Sequence, residues 1–351
     1  MNAQLNHMLA RQRNAELQRA GERVLLARDV RLRGRRVRPR NPITRLGARP
    51  GRVLGTVTVL VMLAVLALSV PGATAGPLGK VTEFSRGLPS GSSPEWIAAG
   101  SDGNLWFTDQ GTTNALGRIT PSGQITEFSA GLNPGAHPVG ITVGPDGDMW
   151  FADDGATPAI GRITPSGQVT EFSTGLNPGS RPHEIALGAD GNLWFTDQGT
   201  TRAIGRITPS AQITEFSAGL NPGAHPVGIA TGPDGNLWFT DQGRTNAIGR
   251  ITPSGQITEL TSPQKPHLDP DQIAAGPDGK LWFTDPADAR AIGRVTTSGQ
   301  VTEFSTGLNQ ATYPVGITPG QDGDLWFADA EGAIGRIGSG APPTPPPPIK
   351  R

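Results

Sequence analysis

Between residues 80 and 338 apolar and polar positions alternate with a period of two, in runs of four to six residues divided by glycine- and proline-bearing turns. This is strand patterning, with no helical periodicity. One stretch shows the unit. "PVGIAT" (226–231) is short and apolar and predicts an innermost strand. "GPDGN" follows, with Pro-Asp-Gly suited to a tight hairpin turn. "LWFTD" (237–241) predicts a second strand with large side chains, and "AIGRIT" (247–252) a third. "PSGQ" turns the chain again; "ITEFS" (213–217) is the outer strand of such a unit, and "AGLNPGAHP" (218–226) crosses to the next.

The unit repeats every 44 residues: Trp-Phe begins at Trp106, Trp150, Trp194, Trp238, Trp282 and Trp326. A period of 40–45 residues made of short strands predicts propeller blades. The chain opens this region with a lone outer strand, "KVTEFS" (80–85), and closes it with three strands lacking an outer one (314–338). The expectation is an all-β, six-bladed β-propeller of four-stranded blades over 80–338, closed by that N-terminal outer strand.

Composition alters the picture outside this region. The 351 residues carry no net charge, yet residues 1–52 hold 14 Arg against 3 acidic residues. Val53–Val70 is an uncharged apolar run of 18 residues, close to a membrane span. The organisation expected is a basic cytoplasmic segment (1–52), a transmembrane or signal helix (53–75), the propeller, and a Pro-rich tail (339–351). An uncleaved single-pass anchor with an extracytoplasmic propeller is one reading; secretion after cleavage near Ala75 is the other. The basic run has no interleaved aromatics and adjoins the apolar span, so no nucleic-acid partner is expected. Cysteine is absent, which excludes disulfides and thiolate metal sites. A monomer is expected.

Residues present in every blade are scaffold: the strand-end aspartates (Asp109 and its five equivalents), the third-strand arginines and the Thr-Glu glutamates, read as turn hydrogen bonds and blade–blade ion pairs. The exceptions carry the chemistry. After the inner-strand proline the six blades read Glu95-Trp96, Val139-Gly140, His183-Glu184, Val227-Gly228, Asp271-Gln272 and Val315-Gly316. Alternate blades of a sixfold ring stand about 120° apart, so Glu95, His183 and Asp271 are expected to converge at the channel mouth. Glu95 and Asp271 are candidate ligands, with His183, for Mg²⁺ or another divalent cation; His183 is the natural proton shuttle. The residues before the proline form a second ring, with His137, Arg181, His225 and Tyr313, beside Glu184, as candidate contacts for a small-molecule or peptide-like ligand; His267 is a further one. There is no nucleophile elbow and no phosphate-binding glycine loop. An 88-residue super-repeat (117–141 returning at 205–229) offers a plainer source of the alternation, inheritance from a duplicated blade pair.

The words "LWFT" plus an acid, "AIGRIT" and "ITEF" resemble those of the virginiamycin B lyase (streptogramin lyase) family. The resemblance implies a propeller, and an activity that opens a cyclic depsipeptide by elimination at an ester linkage with Mg²⁺. Its catalytic pattern is Pro-His at one inner strand, then Glu-Pro-His in the next blade. "RPHEI" (181–185) matches the first element and gives His183 the acid/base role. In the next blade, "HPVGI" (225–229), His225 stands at the Glu position and Val227 at that of the second His. The lyases have seven blades. Six blades with a His/carboxylate set at the mouth also resemble the gluconolactonase–regucalcin group in architecture. Two functions follow: metal-assisted ring opening of a cyclic ester, or a non-catalytic, membrane-tethered module binding a peptide, glycan or wall component.

Overall fold

A computed structural model describes residues 84–260, 268–286, 290–320 and 322–342. The basic segment, the apolar run 53–75, residues 80–83 of the expected closing strand, His267 and most of the Pro-rich tail lie outside the described residues. No described helix is long and apolar enough to cross a membrane.

The described chain is six antiparallel sheets in series, a six-bladed propeller. Blade one is β1 (Pro94–Ala99), β2 (Leu105–Asp109), β3 (Ala115–Ile119) and β4 (Ile125–Phe128); blade two is β5 (Pro138–Val143), β6 (Met149–Asp153), β7 (Ala159–Ile163) and β8 (Val169–Phe172). Blade three is β9 (Pro182–Leu187), β10 (Leu193–Asp197), β11 (Ala203–Ile207) and β12 (Ile213–Phe216); blade four is β13 (Pro226–Thr231), β14 (Leu237–Asp241), β15 (Ala247–Ile251) and β16 (Ile257–Leu260). Blade five is β17 (Ile273–Ala275), β18 (Leu281–Asp285), β19 (Ala291–Val295) and β20 (Val301–Phe304). Blade six has three described strands, β21 (Pro314–Pro319), β22 (Leu325–Asp329) and β23 (Ala333–Ile337).

The repeated words have local causes. The turn aspartate of "PDG" accepts a hydrogen bond from the indole Nε1–H four residues on, as Asp146 does from Trp150 at 3.1 Å. Each Trp is thereby satisfied, its ring buried in blades one to five, and the third-strand arginine lies over it, Arg206 at 5.5 Å from the Trp194 centroid. The glycine of "AIGRI" faces the second-strand phenylalanine across the ladder, and a Cβ on Gly205 would overlap the Phe195 ring. The cores lie between blades: Trp150 and Ile160 of blade two pack with Ile185, Leu193 and Phe195 of blade three. At roughly 25 cal/mol per Å² and 150–250 Å² per aromatic, each such Trp contributes about 4–6 kcal/mol as an upper bound.

The strand-end aspartates do hold turns: Asp197 Oδ1 accepts from the backbone N–H of Arg181 (2.6 Å) and of Gly199 (2.7 Å). The expected blade–blade ion pairs of the Thr-Glu glutamates are corrected. Glu127, Glu171 and Glu259 face the aspartates of their own blades, carboxyl to carboxyl. The cause is register: the arginine leaves the ladder on the Trp side and is spent on the ring, so the acid's nearest charged neighbour is another acid.

The two flanks of the series differ from its interior. Ile97 of β1 is 61% exposed and Leu105 of β2 45%, whereas their blade-two counterparts Ile141 and Met149 are buried. Ile334 of β23 is 71% exposed, whereas Ile292 in the same place on blade five is buried.

Candidate functional site

Each inner strand except that of blade five carries a β-bulge directly after its proline. Pro182 pairs with Asp197 and Ile185 with Phe195, so His183 and Glu184 together face Thr196 alone. A bulge bends a strand and re-aims its side chains. Threonine pins this one: Glu184 N–H donates to Thr196 Oγ1 (3.1 Å), and that hydroxyl donates to the Val227 carbonyl of blade four (2.8 Å). In blade five the ladder does similar work, with Asp271 N–H on the Thr284 carbonyl at 2.9 Å and Gln272 N–H on Thr284 Oγ1 at 3.0 Å.

The alternation with Val-Gly is a packing requirement. A Cβ on Gly140 would lie 2.7 Å from the His183 carbonyl oxygen and 2.9 Å from the Glu184 Cα; one on Gly228 would lie 2.6 Å from the Asp271 carbonyl oxygen. Glycine in the even blades lets the neighbouring bulge approach and leaves room for side chains of the odd blades to meet. Trp96 of blade one reaches His183 of blade three edge to face, centroids 6.0 Å apart. Glu184 of blade three meets Gln272 of blade five, whose amide nitrogen, oriented as donor, lies 3.1 and 3.2 Å from the two carboxylate oxygens.

His183 is half-buried against the surrounding blades. Desolvation lowers its pKa below the ordinary 6.5, Asp154 acting in the opposite sense and the cations Arg181 and His137 adding to the fall. The ring is therefore neutral at physiological pH, and its Nδ1 is buried with no hydrogen-bond partner. Burial, then the charge of Asp271, raise Glu184 well above the carboxylate range. Burial and then Asp269 push Asp271 up to about 6.

The outer ring is built around a residue outside the inner strands. Asp154 replaces the glutamine of "FTDQG" in blade two. Its Oδ1 takes His137 Nδ1 at 2.6 Å and its Oδ2 takes Arg181 at 2.6 Å. Burial alone would raise Asp154; the bonds from His137 and Arg181 outweigh it and hold its pKa low. The bond to Asp154 raises His137 in return. His225 is driven down to about 4, by burial first and then by Arg202, His183 and Arg181. Tyr313, on blade six, lies near enough to Asp271 and Asp269 for their charges to raise it after burial. The signal for Asp154 lies in the same 44-residue repeat, one strand further on from the inner-strand pair. Gln272 belongs to such a pair, and only the glycine gap shows that it reaches Glu184.

The expected ligand set does not assemble. Glu95 is exposed on the first flank, its carboxylate 3.2 Å from the Gln110 amide nitrogen oriented as donor. His183 faces Trp96 and the Asp154 cluster, and Asp271 faces Glu184 and Asp269. Among the described residues no three His, Asp or Glu side chains are grouped to hold a metal ion. The 88-residue spacing sets the sector of each residue, and the bulge sets where its side chain points.

Fold and site together define a β-propeller that gathers an imidazole of lowered pKa and carboxyls of raised pKa on its inner strands, with the His137–Asp154–Arg181 ionic cluster beside them. The profile of the virginiamycin B lyase family matches residues 73–221 and 201–341, and the chain belongs to that family. Among solved structures it is similar to virginiamycin B lyase from Staphylococcus aureus, at 41% identity and TM-score 0.66, over 74% of this chain and 84% of that one. It is similar to a streptogramin B lyase at 34% identity and TM-score 0.65, over 72% and 82%. A gluconolactonase from Xanthomonas campestris, at 17% identity, TM-score 0.50 and coverages of 68% and 84%, shares the fold. No curated relative matches significantly.

Proposed function

We propose that this propeller opens a cyclic ester or depsipeptide by elimination, with His183 as the base. The observation that carries the reading is the His183 ring: neutral, held on a pinned bulge, and with a buried Nδ1 that has no partner. In the step, His183 takes the proton from the carbon adjacent to the ester-bearing carbon. That electron pair forms the C=C bond, the C–O bond breaks, and the carboxylate leaves. Glu184, whose burial and the nearby charge of Asp271 raise its pKa and so favour the protonated form, would hydrogen-bond the leaving oxygen. Arg181, His137, His225 and Tyr313 would contact the rest of the substrate ring. The divalent cation expected from the sequence has no three-residue set to hold it among the described residues, so no step is routed through one. Glu184 and Asp271, the two acids that meet, are the groups a Mg²⁺ titration would report on.

The test is to incubate the protein with a cyclic depsipeptide and weigh the product. Elimination gives an open chain of unchanged mass with a new double bond; hydrolysis adds one water. His183→Ala should lower turnover at least about 100-fold; unchanged turnover removes His183 from the mechanism.

One observation favours a second reading, a non-catalytic binding module. The next blade offers His225, neutral to about pH 4, and Val227, an apolar side chain, where the family pattern has an acid and an imidazole. Ligand binding that survives His183→Ala, with no product from the unaltered protein, would select it. In either case we propose a propeller tethered at the membrane by residues 53–75, tested by fractionating cells expressing the full chain.

A further inference from the structure

The residue before each inner-strand proline stands on the same pedestal. Its N–H donates to the strand-end aspartate of its blade. In five blades its carbonyl also accepts from the N–H of the residue after that aspartate. At Arg181 these bonds are 2.6 Å to Asp197 Oδ1 and 3.0 Å from Gln198. The main chain is thus held in every blade, and the sequence loads it with Ser93, His137, Arg181, His225, Asp269 and Tyr313. Blade three alone presents a guanidinium.

That guanidinium is held sideways as well. Arg181 Nη2 donates to Asp154 Oδ2 of blade two at 2.6 Å, while Asp154 Oδ1 takes His137 at 2.6 Å. Both carboxylate oxygens are therefore occupied. The acid stands where three blades have glutamine (Gln110, Gln198, Gln242) and the other two Pro286 and Ala330. Its side chain is 9% exposed, whereas that of Arg181 is 59% exposed. Among the described residues this is the guanidinium's one hydrogen bond, and an arginine carries five N–H donors in a planar fork. Asp154 fixes the direction of the group and leaves most of the fork to a ligand. The side-chain freedom that gripping a ligand would cost is already lost in the folded protein. An ion pair this open to solvent adds little as a brace between blades, so stability alone does not account for it.

The charge lies within reach of the proposed base, which follows it across Pro182 on the same strand. Burial comes first in lowering the pKa of His183 and of His225, and the positive charge of Arg181 adds to the fall of both. Arg202, in the loop between β10 and β11, is a second cation acting on His225. When His183 takes the substrate proton and the C–O bond breaks, the electron pair of that bond stays on the acyl oxygen. An uncharged ester becomes a carboxylate anion. We propose that Arg181, oriented by Asp154, is the binding site for that carboxylate, and that the ligand it retains is a peptide-like chain ending in one. The part played in turnover rests on the reading of His183 as base; recognition of the anion rests on the Arg181–Asp154 geometry. A guanidinium takes the two oxygens of a carboxylate in parallel charge-assisted bonds. It gains less from a neutral ester, so it favours the charge that develops as the ring opens over the intact ring.

The test is a binding titration on the full-length protein, read by NMR on ¹⁵N-labelled histidine and arginine side chains with ionic strength held by chloride. The probes are an N-acetylated tetrapeptide with a free C-terminal carboxylate and the same peptide as its C-terminal amide. The carboxylate form should shift the Arg181 and His137 signals saturably and bind at least about tenfold more tightly than the amide. Arg181→Gln should fold normally, since the side chain is largely exposed, and should abolish that preference. Arg181→Lys, which keeps the charge and loses the fork, should retain part of it. Equal affinity for the two peptides, no saturable shift with either, or a preference that survives in Arg181→Gln overturns the proposal. With a cyclic depsipeptide as substrate, Arg181→Gln should lower kcat at least about tenfold and change KM less than about threefold, because the anion exists only once the bond is breaking. A loss confined to KM contradicts the role in the step. A protein without turnover that still shows the Arg181-dependent preference removes the reading of His183 as base and upholds the carboxylate site.

Discussion

The hydroxyl of Thr196 ties the blade-three bulge both to its own second strand and to blade four. It is fully buried, accepts from Glu184 N–H at 3.1 Å and donates to the Val227 carbonyl at 2.8 Å. Thr196→Val keeps the shape and strips both bonds, leaving one donor and one acceptor without their partner. Each unsatisfied buried group costs about 1–3 kcal/mol, and partial relaxation brings the sum to about 2–4 kcal/mol. For a domain of this size that corresponds to a fall in melting temperature of roughly 4–16 °C. Thermal and urea melts of the wild type, Thr196→Val and Thr196→Ser measure it, with Ser restoring most of the stability. Turnover or ligand affinity should fall with the Val variant alone, since the bulge that presents His183 is then unpinned. Blades two and six carry Ala152 and Ala328 at this position, so Ala152→Thr provides the control at a blade that dispenses with the bond. A Thr196→Val protein within about 0.5 kcal/mol of wild type, the range of ordinary surface substitutions, would refute the claim that this hydroxyl holds the site.

Other predictions follow from the same geometry. Gly140→Ala places a methyl 2.7 Å from the His183 carbonyl oxygen; it should cost about 1–3 kcal/mol by overpacking, read by denaturant melts, and should depress turnover or ligand affinity more than Gly103→Ala does. Burial and the facing aspartates hold Glu127, Glu171 and Glu259 near pH 7, above the ordinary 4.5. The folded state then binds more protons than the unfolded one between about 4.5 and 7, so these groups' contribution to stability is greatest below 4.5 and is lost as pH rises through 7. Glu171→Gln should accordingly raise the melting temperature relative to wild type at pH 8 and not at pH 4.5; an equal effect at both would contradict the carboxyl pairing. Asp154→Asn removes the charge that His137 and Arg181 share, so the His137 pKa, followed by NMR, should fall toward its ordinary value.

The blade architecture is legible in the sequence because every core contact, within a blade or between neighbours, recurs with the same 44-residue text. Trp, its turn aspartate, the glycine under the phenylalanine and the ladder register all recur with the letters that cause them. The alternation after the inner proline is legible as an exception, and His183-Glu184 does lie where odd-blade side chains meet. The convergence of Glu95, His183 and Asp271 does not hold. A period gives the sector of a residue, while a bulge decides its direction, and the flank position of Glu95 leaves it exposed. Asp154 escapes a reading confined to the inner strands, because the ionic centre of the outer ring hangs from a residue just past the second strand. The acid–acid pairing of the Thr-Glu residues is hidden for another reason: six acids and six arginines in step look like ion pairs until the arginines are seen stacked on tryptophan.

The proposed chemistry rests on the protonation state of one ring. A ¹⁵N NMR titration of the His183 imidazole in the folded protein reads it directly. At pH 6.5, where an unperturbed histidine is half charged, the ring should be neutral and should take its proton only at lower pH. A His183 that is already imidazolium at neutral pH has no lone pair to accept a substrate proton, and would contradict the assignment.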